Sequence, residues 1–102
     1  MAIVNMLPHP TQSTPIATLL RHRSGTNQST TYQFTDDYTI VIIATGGYNA
    51  SSITSGTGWV QQYNDNSSNN TAYGWRKDNV VSGESVTVKC NDRYGMCIWG
   101  IK

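Results

Sequence analysis

The segment from Tyr38 to Thr45 constrains the fold more than any other part of this 102-residue sequence. It reads Tyr-Thr-Ile-Val-Ile-Ile-Ala-Thr, so most of its residues are β-branched or aromatic, and apolar groups occupy both even and odd positions. β-Branched side chains favour strands over helices. A strand that is apolar on both faces is typically central in a sheet and covered on both sides. The segment therefore predicts a central strand, which Gly46 and Gly47 should end.

The polarity of the chain is mostly neutral. Thr, Ser, Asn and Gly make up 41 of the 102 residues, whereas only 13% are charged and the formal net charge is +1. Such short polar residues suit turns and β surfaces better than helix interiors. A near-neutral chain without a basic cluster excludes a protein that holds nucleic acid by charge. The length corresponds to one small domain, and the 10% of aromatic residues argue against disorder.

Residues 1–15 differ from the rest because they contain all three prolines of the chain. Proline cannot donate to a strand ladder, so we expect an extended N-terminal arm here and a β-sandwich domain over residues 16–102. The arm has an apolar tip, which we expect to dock onto the domain itself, onto a neighbouring subunit or onto a particle. The tip residues are Ile3, Val4, Met6 and Leu7.

The opening residues lack the basic region and the apolar run of a secretory signal peptide. The longest apolar run, Ile40–Ala44, falls far short of the roughly 20 residues that span a bilayer. We therefore expect a chain that is made in a cytoplasm without membrane insertion. It would stay there, or leave by cell lysis or as part of a particle.

Strand signals recur at short spacing along residues 16–102. Residues 16–23 fit either a strand or a short helix, and the surrounding β pattern favours the strand. The segments 49–58 and 76–79 are rich in turn-forming residues, so they are predicted to be connections. About six to eight strands predict an all-β fold, a small antiparallel β-sandwich resembling a jelly roll, with a small barrel as the alternative.

A hairpin with aromatic side chains is predicted within residues 59–75. If Trp59 opposes Trp75, then Gln61 opposes Tyr73, and these four side chains share one face. In one interpretation the aromatic rings fill the core of a small domain. In the other they form an exposed platform that stacks sugar rings, with the amide of Gln61 as a hydrogen-bonding group.

The last predicted hairpin lies within residues 85–101. It places Cys90 opposite Cys97 and Val88 opposite Trp99, with the apolar side chains on one face. Two interpretations of the cysteines remain open. They are either two free apolar side chains in a strand pair, or a cross-strand disulfide formed after release from a reducing cytosol.

No cluster of chemically reactive residues stands out in the sequence. The two histidines, His9 and His22, lack the spacing of a metal pair, and the adjacent Asp36 and Asp37 would point to opposite faces of a strand. Glu84 is the only glutamate and lies in a turn sequence. We therefore expect no metal, no cofactor and no catalytic residue. Serine is plentiful, so a small hydrolase is the weakest of the alternatives.

Three short motifs resemble sequences of bacteriophage virion proteins. Residues 37–43, Asp-Tyr-Thr-Ile-Val-Ile-Ile, resemble a strand of small β-sandwich domains in phage tail-fibre and receptor-binding proteins. Residues 97–102, Cys-Ile-Trp-Gly-Ile-Lys, are similar to the aromatic-Gly-Ile-Lys tails that close such domains. Residues 4–8, Val-Asn-Met-Leu-Pro, resemble the starts of phage tail-associated proteins.

The resemblance implies a virion structural protein, often a homotrimer, that acts by assembly and host-surface binding without catalysis. Its partners would be copies of itself, other virion proteins and a glycan on the host cell surface. Because typical tail proteins carry this domain after a longer stalk, a capsid decoration or head-fibre protein is the alternative to a tail-fibre or baseplate protein. A carbohydrate-binding module or lectin is a further alternative.

Overall fold

The computed structural model describes residues 16–26, 29–47, 51–67, 70–90 and 93–102. These residues form eight antiparallel strands, as predicted, and none of them is helical, so this part of the chain has no helix that could cross a membrane. The predicted arm over residues 1–15 lies outside the described residues. In chain order the strands are β1 (Ala17–Thr26), β2 (Ser29–Gln33), β3 (Tyr38–Gly47), β4 (Ser51–Ser55), β5 (Val60–Ser67), β6 (Asn70–Val80), β7 (Ser85–Cys90) and β8 (Arg93–Ile101).

The strands form two sheets, which we call the large sheet, with the order β1-β8-β3-β6-β5, and the small sheet, with the order β2-β7-β4. Strand β1 pairs with β8, β2 with β7 and β3 with β6. These three pairs resemble a jelly roll, in which an antiparallel ribbon is doubled over itself. The arrangement departs from a jelly roll at β5, which pairs with β6 instead of β4. Of the described strands, only β5 and β6 are consecutive within one sheet. Every other connection crosses to the opposite sheet.

The core lies between the two sheets, where alternate side chains of each strand point inward. On β3 the inward residues Val41 and Ile43 are fully buried, and on β7 Val86 and Val88 lie opposite them in the same cluster. The remaining buried apolar side chains are Phe34, Tyr38, Tyr73, Trp75, Val80, Cys90, Met96 and Ile98. This single interior confirms the predicted β-sandwich.

The prediction of a central strand is confirmed, because β3 lies between β8 and β6. The predicted end of that strand is wrong. The ladder continues through Gly46 and Gly47, which pair with Ala72 and Thr71 on β6. Two flanking strands hold the backbone of these glycines extended, and this pairing overrides their weak intrinsic preference for strands.

Two predicted connections contain strand. The segment 49–58 includes β4, whose Ser51 pairs with Cys90 and is buried. The segment 76–79 continues β6, where Arg76 pairs with Ile42 and Asp78 pairs with Ile40. In both cases backbone pairing with an adjacent strand outweighs a composition that is typical of turns.

The predicted hairpin within residues 85–101 is wrong. Strand β7 belongs to the small sheet, where Val88 pairs with Thr30 and Ile53. Strand β8 belongs to the large sheet, where Trp99 pairs with Leu19 and Ile42. An alternating apolar pattern states which side chains share a face of a strand, but not which sheet the strand joins.

The hairpin between β5 and β6 is confirmed, but its predicted register is wrong. Gln61 opposes Trp75, and after a β-bulge Tyr63 opposes Gly74. Trp59 precedes the strand and therefore does not face Trp75. The two strands also extend further toward each other than predicted, since Ser67 of β5 still pairs with Asn70 of β6.

Candidate functional site

The side of the large sheet that faces away from the small sheet carries a series of apolar side chains. Antiparallel partners share a face, so the strand register defines this surface row by row. The first row, from β1 across β8, β3 and β6 to β5, consists of Leu19, Trp99, Ile42, Arg76 and Val60. A second row contains Ile101 and Ile40. We call these two rows, together with a third that is described next, the outer face.

The third row of the outer face consists of His22, Cys97, Ala44, Gly74 and Tyr63. A Cβ atom on Gly74 would lie 3.7 Å from Cβ of Tyr63, which is an ordinary van der Waals distance. The indole Nε1 of Trp99 donates a hydrogen bond of 3.2 Å to Sγ of Cys97. This hydrogen bond joins two neighbouring side chains of β8 on the outer face.

Apolar side chains of the outer face are open to solvent. Leu19 is 42% exposed, Tyr63 56% and Val60 59%, while Trp99 and Ile42 are half-buried by their neighbours in the sheet. Within the described ranges no other strand lies over this side. A contiguous exposed apolar surface is typical of a contact site. In the sequence, this surface is indicated by the apolar residues at both even and odd positions of β3, which predict a strand that other parts of the protein cover on both sides.

The charges of the outer face neutralise each other near its centre. Nε of Arg76 lies 2.7 Å from Oδ1 of Asp78, two residues along β6. Hydrogen bonding to this carboxylate raises the pKa of Arg76 above its ordinary value. Both side chains are exposed, so the pair contributes little to stability. It does, however, leave the middle of the outer face without net charge.

The residues of the predicted sugar platform do not form an open surface. Tyr73 and Trp75 are only 7% and 6% exposed, and their rings stack on each other with centroids 5.8 Å apart. Trp59 is half-buried and stacks on Phe34 at 6.4 Å. Gln61 is exposed. The burial of the stacked pair agrees with the interpretation as core and contradicts that of a shared exposed platform.

The predicted register that places Cys90 opposite Cys97 is wrong, because their strands lie in different sheets. Both thiols are free, as in the first of the two interpretations. Cys90 is fully buried in the small sheet and points into the core, where burial raises the pKa of its thiol. Cys97 lies on the outer face of the large sheet, because its neighbours Met96 and Ile98 point inward and are buried. The two side chains therefore face different surroundings.

The predicted assembly residues Ile3, Val4, Met6 and Leu7 lie outside the described residues, as does His9.

Acidic residues at one end of the sandwich hold crossing connections in place. Asp36 bonds to the side chain of Lys102, whose ammonium group lies 5.7 Å from the ring centre of Tyr38. The hydrogen bond from Lys102 lowers the pKa of Asp36. Oδ1 of Asp37 accepts a hydrogen bond of 2.8 Å from the backbone N–H of Ser82. The Asp37 contact joins the residues before β3 to the turn before β7, whereas the exposed pair of Asp36 and Lys102 contributes little to stability. None of the described residues forms a group of three or more metal-ligand side chains.

Glu84 joins β6 to the turn before β7. Its Oε1 lies 2.5 Å from Nζ of Lys77, and its Oε2 accepts a hydrogen bond of 2.7 Å from the N–H of Val81. The bond from Lys77, followed by that from Val81, lowers the pKa of Glu84 below its ordinary value. Both charged side chains are largely shielded from water, so this pair is more strongly coupled than the exposed pair of Arg76 and Asp78.

Glu84→Gln should lower the free energy of unfolding at neutral pH by about 1 kcal/mol, because it removes the charge that Lys77 and Val81 contact. The folded-state pKa of Glu84 is lower than its ordinary value of 4.5, so its contribution is complete above that pH and disappears as pH falls through the lowered pKa. Urea unfolding at neutral pH and near pH 2 measures the effect of the substitution on the free energy of unfolding and its dependence on pH. Asp78→Asn, in the exposed pair, is the control and should change stability less. A pH-independent effect of Glu84→Gln would contradict this account.

Two shallow depressions open on the described surface. One, of about 270 Å³, lies beside Tyr38 and Lys102, and the other, of about 430 Å³, lies beside Val60 and Arg76. Neither depression is lined by a Cys, His or Ser side chain. Neither therefore brings together one of these nucleophiles and a histidine base.

No family model, no curated protein and no solved structure matches this chain. Its function has therefore to be inferred from its own residues, among which the outer face is the most distinctive surface.

Proposed function

We propose that this chain is a bacteriophage virion structural protein that assembles with copies of itself and with other particle proteins. It acts by binding to other subunits and to the host surface, without catalysis. The observation that carries the proposal is the apolar outer face centred on Leu19, Trp99 and Ile42. An isolated domain leaves this surface in water, whereas a neighbouring subunit removes it from water with a gain in free energy.

The sequence motifs support the same proposal through their positions in the fold. Residues 37–43 and 97–102 resemble phage proteins, and they fall on β3 and β8, which are neighbours in the large sheet. They supply Ile42 and Trp99, the central pair of the outer face. The jelly roll is also used by viral capsid domains, although this fold alone does not determine function.

The small size of the domain is a second physical reason to expect assembly. A chain of 102 residues buries only about 65% of the surface that its unfolded form exposes. Binding to the folded state stabilises it by mass action, so subunit association adds stability that the core alone does not supply. A homo-oligomer, with the trimer as the expected form, is therefore the proposed state in a tail fibre or baseplate. The alternative is that the protein decorates the capsid.

The proposal of a carbohydrate-binding module has less support. Its predicted platform depended on the faces of Tyr73 and Trp75, and these rings lie in the core. Any host glycan would have to contact other residues.

Leu19→Lys should weaken self-association at least tenfold, because a subunit that docks on the outer face would have to bury the new charge in an apolar contact. Leu19 is on edge strand β1 and 42% exposed, so the isolated domain should still fold. The matched control is Ser52→Lys, which adds the same charge to an exposed position of the small sheet. Light scattering after size-exclusion chromatography gives the native mass of each variant, to be compared with the 11.2 kDa of one chain.

A wild-type protein that stays monomeric at all concentrations would contradict self-assembly. Equal weakening by Leu19→Lys and Ser52→Lys would contradict the outer face as the contact. The virion location has its own test, in which antibodies against the protein are used to label particles purified from the cells that produce it. Labelled tails would support a fibre or baseplate protein and labelled heads a decoration protein. Unlabelled particles would contradict a virion role.

A further inference from the structure

We propose that the segment 1–15 of a neighbouring copy occupies the outer face, with its apolar tip seated over Leu19, Trp99 and Ile42. The tip comprises Ile3, Val4, Met6 and Leu7. This inference rests on the self-assembly proposed above, and it adds which part of the partner makes the contact. It would make the oligomer one in which each chain reaches onto the next.

The place where the segment joins the described chain supports this assignment. Strand β1 begins at Ala17, which pairs with Ile101 at the edge of the outer face. Ile16, the preceding residue, is 75% exposed. The segment 1–15 is therefore joined to the domain directly beside the exposed apolar surface.

The length of the segment favours a neighbouring copy over the same chain. From Leu7 to Ile16 an extended chain spans about 30 Å. Trp99, at the centre of the outer face, is only about 7 Å along the strand and about 5 Å across from Ala17. To cover its own outer face, the segment would have to reverse direction just before Ala17, whereas an extended segment reaches the face of a neighbouring copy without such a turn.

The chemistry of the two surfaces also matches. The segment 1–15 contains no Asp, Glu, Lys or Arg, and His9 is its only titratable side chain. The centre of the outer face is apolar, and its nearest charges, Arg76 and Asp78, are paired with each other. Because its prolines lack N–H groups, the segment is suited to lie across the sheet through side-chain contacts instead of adding a regular strand.

Cys97 provides a built-in probe of this contact. It lies on the outer face one row from Trp99, whereas Cys90 is buried in the core. In full-length Met6→Cys protein, mild oxidation should join the new thiol to Cys97 of another chain. Covalent oligomers should then appear on a non-reducing gel and disappear with dithiothreitol.

The matched control carries Met6→Cys, Cys97→Ser and Ser52→Cys, so that the partner thiol sits on the small sheet. Its yield of cross-linked oligomer should be about tenfold lower, because only a docked segment has a high effective concentration at its target. To identify the partner, tagged Met6→Cys/Cys97→Ser chains are mixed with untagged wild-type chains before oxidation. A tagged–untagged product is expected.

Each outcome has a distinct meaning. An internal disulfide that forms without larger species would overturn the proposal, because the segment would then cover its own domain. A native oligomer that cross-links no better than the control would also overturn it, while the proposed self-assembly would stand. A protein that is monomeric and does not cross-link would overturn both proposals.

Discussion

Gly100→Ala is expected to lower the free energy of unfolding by about 2–3 kcal/mol, because a Cβ atom at this position has no room. Such an atom would lie 2.6 Å from two ring carbons of Tyr38 and 2.9 Å from Cδ1 of Leu20. The ring cannot easily move aside, since it is buried with its centroid 6.3 Å from that of Phe34 and the ammonium group of Lys102 lies over it. Glycine is therefore required on β8 by packing.

The matched control for this prediction is Gly95→Ala on the same strand. A Cβ atom on Gly95 would meet no atom within 4 Å. Its effect on the free energy of unfolding should therefore stay within about 0.5 kcal/mol. Urea unfolding followed by tryptophan fluorescence measures both variants. If the two substitutions had equal effects, the close packing of Tyr38 and Leu20 over β8 would be wrong.

The sequence could predict that the chain forms strands and which strand is central, but not how the strands pair into sheets. The β-branched segment at Tyr38–Thr45 identified the central strand, because its composition matches what a buried strand requires. The jelly roll sends almost every connection to the opposite sheet, so local hairpins were a poor guide. That is why the predicted hairpin placed Cys90 opposite Cys97, although their strands lie in different sheets.

The candidate site was only partly accessible from sequence. The apolar residues at both even and odd positions of β3 predicted cover on both sides. Within the described ranges no strand covers the outer side, and the strand pairings show which residues lie on it. Leu19 joins the outer face only because β1 pairs with β8, and Val60 only because of the register of β5 against β6. Such long-range pairings depend on the whole fold, and a short alternating pattern does not specify them.

The second prediction with a large effect concerns two adjacent isoleucines on β3. Ile43 faces the core and is fully buried, whereas Ile42 faces outward and is half-buried. Ile43→Ala should lower the free energy of unfolding of the monomer by about 2–5 kcal/mol, because it leaves a cavity. Ile42→Ala should cost about 1 kcal/mol or less in the monomer, because it removes less buried area. The loss of strand propensity should be the same for both variants, because both residues lie in the same strand and both change from isoleucine to alanine.

The central claim is that one face of the large sheet serves folding and the other serves assembly. The most direct test is to measure, for both variants, the unfolding free energy at a dilution that keeps the chain monomeric and the dissociation constant at higher concentration. We expect Ile43→Ala to lower stability and leave association nearly unchanged. We expect Ile42→Ala to leave most of the stability and weaken association about tenfold or more. An equal loss of monomer stability, with no change in association for Ile42→Ala, would contradict the account.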